Sequence, residues 1–319
     1  MDTHQVKVAR RMQETPDICV LELVACDGAP LPSFSAGSHV DVFLAGDMTR
    51  QYSLCNDPSD RHRYMLGVLR EQAGRGGSAA MHALQVGDTL KISTPKNHFA
   101  LAGTENRSLL IAGGIGVTPI LCMAERLSVL GADFEMHYCT RSEERTAFRR
   151  RIGESAFADR VRFHFDDGAP SQWFDLARVL SDQPAGTQLY VCGPKGLMDA
   201  VLEAARKSGW PEDRLHYEFF AGAAPVAIDG DSPFDVKIAS TGQVIRVDAG
   251  KTVVECLAAA GIHVDTSCEQ GVCGTCLTRV LEGEPDHRDI YLMPEERARN
   301  DAFLPCCSRS KSPVLVLDL

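Results

Sequence analysis

The chain of 319 residues is expected to fold as a multidomain protein: an antiparallel β-barrel, then an α/β domain of Rossmann-like kind, then a small α+β domain. Three observations predict this. Up to about residue 103, short apolar runs are separated by clusters of Gly, Pro, Asn and Asp. From about residue 104, strand-like and helix-like stretches alternate, as they do around a parallel sheet. The last quarter carries an ordered set of cysteines at 268, 273, 276 and 306.

In the first part, strands are expected at 18–24, 39–44, 64–69 and 89–93, and several short strands at that spacing suggest a barrel. In the second, a strand at 108–112 runs into a glycine loop and a helix over 119–130. Further strands are read at 134–139, 161–164 and 188–192, with helices at 146–151 and 196–208. Residues 221–233 are small, contain Gly and Pro and lack periodicity, so they read as a linker. Domains are accordingly drawn at 1–103, 104–225 and 234–319, with 226–233 joining the last two. The third opens with a hairpin (234–239 and 244–248), continues with a helix at 253–260 and the cysteine loop, and closes with a strand at 314–317.

The loop runs Cys268-Glu269-Gln270-Gly271-Val272-Cys273-Gly274-Thr275-Cys276, answered by Cys306. This C-x4-C-x2-C…C spacing is the one plant-type ferredoxins use to hold a [2Fe–2S] cluster. Four thiolates must converge on two irons, and a short loop supplies three of them only by wrapping closely around the inorganic sulfides. Gly271 and Gly274 suit such a loop, since they accept left-handed backbone angles and leave N–H groups free to approach sulfur. A zinc site is the alternative, but zinc usually pairs two C-x2-C knuckles and this chain has one. Cys19, Cys26, Cys55, Cys122, Cys139, Cys192 and Cys256 are scattered and read as small core residues. Cys307 competes with Cys306 for the fourth position; in this ferredoxin class the ligand precedes an x-Ser-Arg segment, which Cys306 does.

Other motifs carry chemistry too. In Arg50-Gln51-Tyr52-Ser53, the arginine offers a fork for a phosphate, the tyrosine a stacking face and the serine a hydroxyl for a ring nitrogen. Gly74-Arg75-Gly76-Gly77-Ser78 follows, and Gly76, Gly77 and Ser78 supply backbone N–H groups and a hydroxyl to an anion. Ala112-Gly113-Gly114-Ile115-Gly116-Val117-Thr118-Pro119 is a strand–turn–helix connection through which a pyrophosphate can approach a helix N-terminus. Cys192-Gly193-Pro194 and Tyr217-Glu218-Phe219-Phe220 complete the series. Alone, each is also compatible with a tight turn or a half-buried strand.

Together and in this order, the motifs resemble the ferredoxin-NADP reductase superfamily. The order of modules and a length near 320 resemble the phthalate dioxygenase reductase family, including the reductases of vanillate O-demethylase and carnitine monooxygenase. The resemblance covers essentially the whole chain. It implies a flavin-binding barrel, an NAD domain and a β-grasp ferredoxin domain, with FMN, NADH and a [2Fe–2S] cluster as cofactors. A hydride would pass from nicotinamide C4 to flavin N5, and single electrons onward to the cluster and then to a partner, a Rieske-type non-haem iron oxygenase of aromatic catabolism. The flavin is needed because NADH gives electrons in pairs while the cluster takes one at a time.

The same resemblance gives Arg50, Gln51, Tyr52, Ser53, Gly76, Gly77 and Ser78 to the FMN, with Phe220 covering it. Gly113, Gly114, Gly116, Thr118, Cys192, Gly193 and Pro194 go to the nicotinamide side, where Ser53 and Thr118 are the catalytic pair. Thr140, Arg141 and Ser142 follow the second strand of this domain, where a 2′-phosphate of NADPH would lie and Arg141 and Ser142 could bind it, against the NADH that the family implies. Cys268, Cys273, Cys276 and Cys306 are the metal ligands. A reductase of a diiron monooxygenase and a flavin/iron–sulfur redox sensor are the competing functions.

A net charge of −10 argues against nucleic acid and anionic membrane as partners. The most apolar stretch, 109–123, is too short for a membrane span and is broken by Gly113, Gly114, Gly116 and Pro119. Residues 1–20 lack the apolar core of a signal peptide, so a cytoplasmic location without disulfides is expected.

Overall fold

The computed structural model describes residues 2–46, 48–72, 76–103, 105–220 and 231–319. They form two compact units, 1–220 and 221–319. The expected linker falls largely on residues 221–230, outside the described set.

The first unit opens with an antiparallel sheet of β1 (Thr3–Gln13), β2 (Ile18–Ala25), β3 (Ser38–Leu44), β4 (Met48–Ser53) and β5 (Tyr64–Leu69), then helix α1 (Gly77–Ala83), β6 (Thr89–Ser93) and β7 (Lys96–Asn97). The order β4-β3-β6-β1-β2-β5 is nearly closed on itself, because a bridge between Leu54 and Leu66 links the chain after β4 to β5. Its interior is apolar (Val6, Val8, Leu21, Val40, Val42, Ile92), alternating along each strand with residues that face outward.

The same unit continues into β8 (Ser108–Gly113), α2 (Val117–Val129), β9 (Phe134–Thr140), α3 (Arg149–Gly153), β10 (Val161–Phe165), α4 (Leu176–Ser181), β11 (Gln188–Cys192), α5 (Lys195–Lys207) and β12 (Leu215–Glu218). All five strands are parallel, in the order β10-β9-β8-β11-β12. β8 is buried along its whole length, as a central strand covered on both faces must be. Helix α2 lays Ile120, Ala124 and Leu127 into the core at helical spacing, and Pro119 sits in its first turn, where no intrahelical N–H is missed. The helix read at 146–151 begins only at Arg149, because Phe148 takes a left-handed φ of 60° to bury its ring. Packing overrides local propensity there.

The second unit contains β13 (Phe234–Ile238), β14 (Val244–Val247), α6 (Val253–Ala259), β15 (Thr278–Glu282), β16 (Pro285–Asp286), α7 (Pro294–Arg299), β17 (Ala302–Phe303), β18 (Arg309–Ser310) and β19 (Val314–Leu317). Its main sheet runs β14-β13-β19-β15-β17, with the parallel β13–β19 pair flanked by antiparallel neighbours. Helix α6 buries Val253, Cys256 and Leu257, and a Thr252–Glu255 capping box fixes its start. A mixed sheet of this order grasping one helix is the β-grasp arrangement. Residues 231–233 are bound into this unit: Asp231 pairs with Arg288 at 2.5 Å, and the Ser232 carbonyl accepts from Arg309.

Candidate functional site

The parallel sheet reverses its winding between β8 and β11, and the crevice beyond the carboxyl ends of strands at such a switch point is where open α/β sheets bind ligands. Both glycine turns lie there. A Cβ on Gly113 would stand 2.7 Å from Pro194 Cδ and 3.3 Å from Gly193 Cα. At Gly116 a Cβ would collide with the Cys192 carbonyl, so only glycine lets the turn before α2 close against β11. Gly114 makes the bend with a φ of 51°. The Thr118 hydroxyl donates to the Ile115 carbonyl at 3.0 Å, and the Thr118 methyl leaves no room for a Cβ on Gly67 of β5. The residue is thus packed between turn and barrel.

Register carries the next residues into this crevice. Cys192 is flanked by Ala112 on β8 and Glu218 on β12. Ser53, buried at the end of β4, donates to Glu218 Oε2 at 3.5 Å, the outer limit of a hydrogen bond. Part of the Glu218 side chain stays accessible, yet burial raises its carboxyl to about 8, and the Ser53 bond only partly offsets this. Burial, and then the Glu218 charge, push the Cys192 thiol far above its usual range. Glu218 lies in the Tyr217–Phe220 segment, whose sequence reading gave a role to Phe220 alone; its own place comes from the β11–β12 register and a partner 165 positions away.

The Arg50–Ser53 segment splits between two faces of β4. Arg50 and Tyr52 lie opposite Val42 and Val40 of the barrel interior. Burial raises the Tyr52 phenol to about 12. Gln51 lies on the other face, where it donates to Asp41 at 3.1 Å and meets His39 at 3.2 Å. The Arg50 side chain crosses Gly77 so closely that a Cβ there would come within 2.7 Å of its Nε. Gly76 is the left-handed N-cap of α1, and the Ser78 hydroxyl accepts from Glu71 N–H at 3.0 Å. Gly74 and Arg75 lie outside the described residues. Phe220 packs against the core shared by barrel and sheet. Thr140 spends its hydroxyl on Thr146 and the Ser142 carbonyl, while Arg141 is exposed at the end of β9.

In the second unit the thiols fall into pairs. Cys268 and Cys273 share a hydrogen bond that draws Cys273 down to about 5 and raises Cys268. Cys306 reaches both Cys276 and Cys307 and is pushed up to about 12, first by the bond to Cys276, with the Cys307 bond opposing it. Cys307 reaches Cys306 but turns its sulfur toward the Leu304 carbonyl and Ser308, into the core. Two pairs suit a dinuclear cluster, in which each iron takes two protein thiolates. The backbone fits as well: Gln270 N–H points at Cys268 sulfur from 3.3 Å. Gly271 has a φ of 72°, and a Cβ there would come within 2.5 Å of Cys307 sulfur.

A nearly closed barrel joined to a parallel nucleotide sheet, followed by a β-grasp unit with paired thiols, defines a flavin- and iron–sulfur-dependent electron-transfer oxidoreductase. Residues 236–311 match the family described as 2Fe-2S iron-sulfur cluster binding domain, and residues 92–215 match the N-terminal domain of dimethylamine monooxygenase subunit DmmA-like proteins. The chain is 55% identical to vanillate O-demethylase oxidoreductase of Pseudomonas putida, over 98% of either chain. A solved structure of phthalate dioxygenase reductase, titled as modular electron transfer from pyridine nucleotides to [2Fe–2S], matches at a TM-score of 0.81 and 36% identity, covering 99% of this chain and 98% of that one. The reductase-like 41% of an intact type IV self-sufficient cytochrome P450 monooxygenase matches at 0.79 and 39% identity, over 99% of this chain. The chain belongs to the phthalate dioxygenase reductase family. The family match over residues 236–311 gives the second unit a [2Fe–2S] cluster.

Proposed function

We propose that this chain is the NADH-dependent reductase of a two-component Rieske-type oxygenase in aromatic catabolism, working in the cytoplasm. Likeness over nearly the full length to vanillate O-demethylase oxidoreductase supports the oxygenase partner. The observation that carries the electron path is the cysteine set at 268, 273, 276 and 306 lying inside the segment that matches the 2Fe-2S cluster binding family. Among the described residues, no helix is long and apolar enough to cross a membrane.

FMN, when bound, supplies the conversion from a two-electron donor to single electrons. The protein's part is binding and orientation. Arg50, with Gly76, Gly77 and Ser78, holds the phosphate, and Tyr52 stacks on the ring. Gln51 keeps β4 in register through Asp41 and His39. Ser53 presents its hydroxyl to the ring edge, and the protonated Glu218 carboxyl keeps a proton within reach of Ser53 Oγ at neutral pH. The Gly113–Gly116 turn, supported by Thr118, and the Cys192–Pro194 turn shape the nicotinamide crevice, and Phe220 covers the flavin. Thr140 and Arg141 border the adenosine. Cys268 and Cys273 hold one iron, and Cys276 and Cys306 the other.

The test mixes the NADH-reduced protein, without oxygen, with purified vanillate O-demethylase oxygenase and follows the visible bands of the Rieske centre. Rapid bleaching is expected. No transfer there, together with reduction of a diiron hydroxylase or a P450 haem domain, would replace the Rieske assignment by one of those partners.

A further inference from the structure

The sequence His287-Arg288-Asp289 opens a segment that runs against the cluster loop without a cysteine of its own. Ile290 N–H donates to the Gly271 carbonyl at 3.0 Å, and a Cβ on Gly271 would stand 2.9 Å from Asp289 Cα. The Asp289 side chain has no solvent exposure. Its carboxylate accepts from Leu292 N–H at 2.8 Å and from the Ser308 hydroxyl at 3.4 Å, with the Arg297 guanidinium 3.8 Å away. Arg297 also donates to the Asp289 carbonyl at 2.6 Å. A buried carboxylate met by this many donors fixes the backbone around it. Leu292 is buried in the small core that holds Cys276, Leu304 and Cys306.

Tyr291 stands between these two anchored neighbours and stays outside: it is 43% exposed, and its ring crosses the backbone of Gly274. A Cβ on Gly274 would stand 2.7 Å from the Tyr291 hydroxyl oxygen, with ring carbons closer still. Gly274, at a φ of 71°, directly follows Cys273 and precedes Cys276 by two positions. The hydroxyl has no hydrogen-bond partner among the described residues, so the ring is held by contact and by its neighbours.

We infer that Tyr291 is the cover of the cluster, a ring that shields the Gly274 side of the loop from water and thereby holds the reduction potential down. This rests on the proposed ligand set of Cys268, Cys273, Cys276 and Cys306. Reduction adds an electron to a group that four thiolates already make negative, and nearby water favours that more charged form. Excluding the water therefore lowers the potential and makes the cluster a stronger donor to its partner. Tyr291 touches the loop and not a thiolate, so it is a positioning residue, and Asp289 and Arg297 hold the segment that presents it.

The full-length protein and its Tyr291→Ala and Tyr291→Phe variants test this without turnover. The cluster potential is read by redox titration of the electron paramagnetic resonance signal, and the loss of iron to EDTA is timed from the visible bands. Tyr291→Ala should raise the potential by about 59 mV, a shift of about tenfold in the one-electron equilibrium, and should speed iron loss about tenfold. Tyr291→Phe should match the unsubstituted protein within about twofold in both, since the ring and not the hydroxyl makes the cover. If Tyr291→Ala takes up no iron, Tyr291→Leu carries the same measurement, with a smaller rise of the same sign expected. A potential in Tyr291→Ala or Tyr291→Leu that stays where it was, or a shift in Tyr291→Phe as large as that in Tyr291→Ala, would overturn the inference while leaving the ligand set in place. An unsubstituted protein that assembles no cluster from iron and sulfide would bring down the ligand set, and the inference with it.

Discussion

The two units of this chain build their redox sites in opposite ways. The proposed cluster site is local: Cys268, Cys273 and Cys276 lie within nine consecutive residues, and only Cys306 comes from afar. The proposed flavin and nicotinamide site is assembled from strand ends, with Ser53 on β4, Cys192 on β11 and Glu218 on β12 meeting through register. A local site depends on ligand identity and loop geometry, so damage to it should be complete and confined. A site built from strand ends depends on packing, so damage to it should be graded.

Ligand exchange in the second unit should give the largest effect. Cys306→Ser is expected to abolish cluster content, measured as iron and visible absorbance, while Cys307→Ser leaves it in place, because Cys306 reaches Cys276 whereas the Cys307 sulfur turns to the Leu304 carbonyl. The reverse result would exchange their roles. Next comes separation of the units. Residues 1–220 form a compact body with their own core, so that fragment should fold, bind FMN and reduce ferricyanide with NADH, yet deliver nothing to the oxygenase. Delivery at the full rate would show that electrons leave directly from the flavin.

Within the first unit, Gly116→Ala pushes a methyl into the Cys192 carbonyl and so parts β8 from β11 at the crevice. Displacement of about 1 Å at a hydride-transfer site costs roughly 100-fold in rate, so NADH-dependent reduction should fall on that scale with flavin content unchanged. An unaltered rate would mean that the turn does not shape the nicotinamide site.

The smallest effect concerns proton linkage at Glu218. With its carboxyl raised to about 8, the folded state keeps a proton that the unfolded chain releases near its ordinary value of 4.5. The contribution to stability therefore falls as pH rises through that window and is constant above it. Glu218→Gln should remove the slope. In thermal unfolding, its advantage over the parent protein should grow steadily as pH rises from 5 to 8. A constant difference across that range would place the ionisation elsewhere.

The contrast between units also explains what could be read in advance. The cysteine spacing, the glycine turns and the alternation of strands and helices are written in contiguous residues, and they carried the barrel, the parallel sheet and the cluster unit. The role of Glu218 was not legible, because an acid at a strand end is ordinary until pairing sets it beside Cys192 and opposite Ser53. The split of Arg50 and Tyr52 from Gln51 across β4 follows from strand alternation, but which face meets the barrel interior depends on Val40 and Val42 of β3. The late start of α3 was hidden for the same reason: Phe148 is drawn into a core made by distant residues.

The pairing of the thiols has a consequence for how the protein matures. Cys268 and Cys273 are five residues apart, whereas Cys276 and Cys306 are thirty apart. Holding the second pair together in an unfolded chain costs about 1.6 kcal/mol more loop-closure entropy than holding the first. The first pair can therefore trap iron while the chain is still loose. The second pair comes together only once the segment from β15 through β17, with its closing turn at Cys306, has settled. Iron loading should thus proceed in two stages, and the completed cluster then acts as a staple across that late-forming segment, so that chelators destabilise the C-terminal end of the unit before its β13–β14 hairpin.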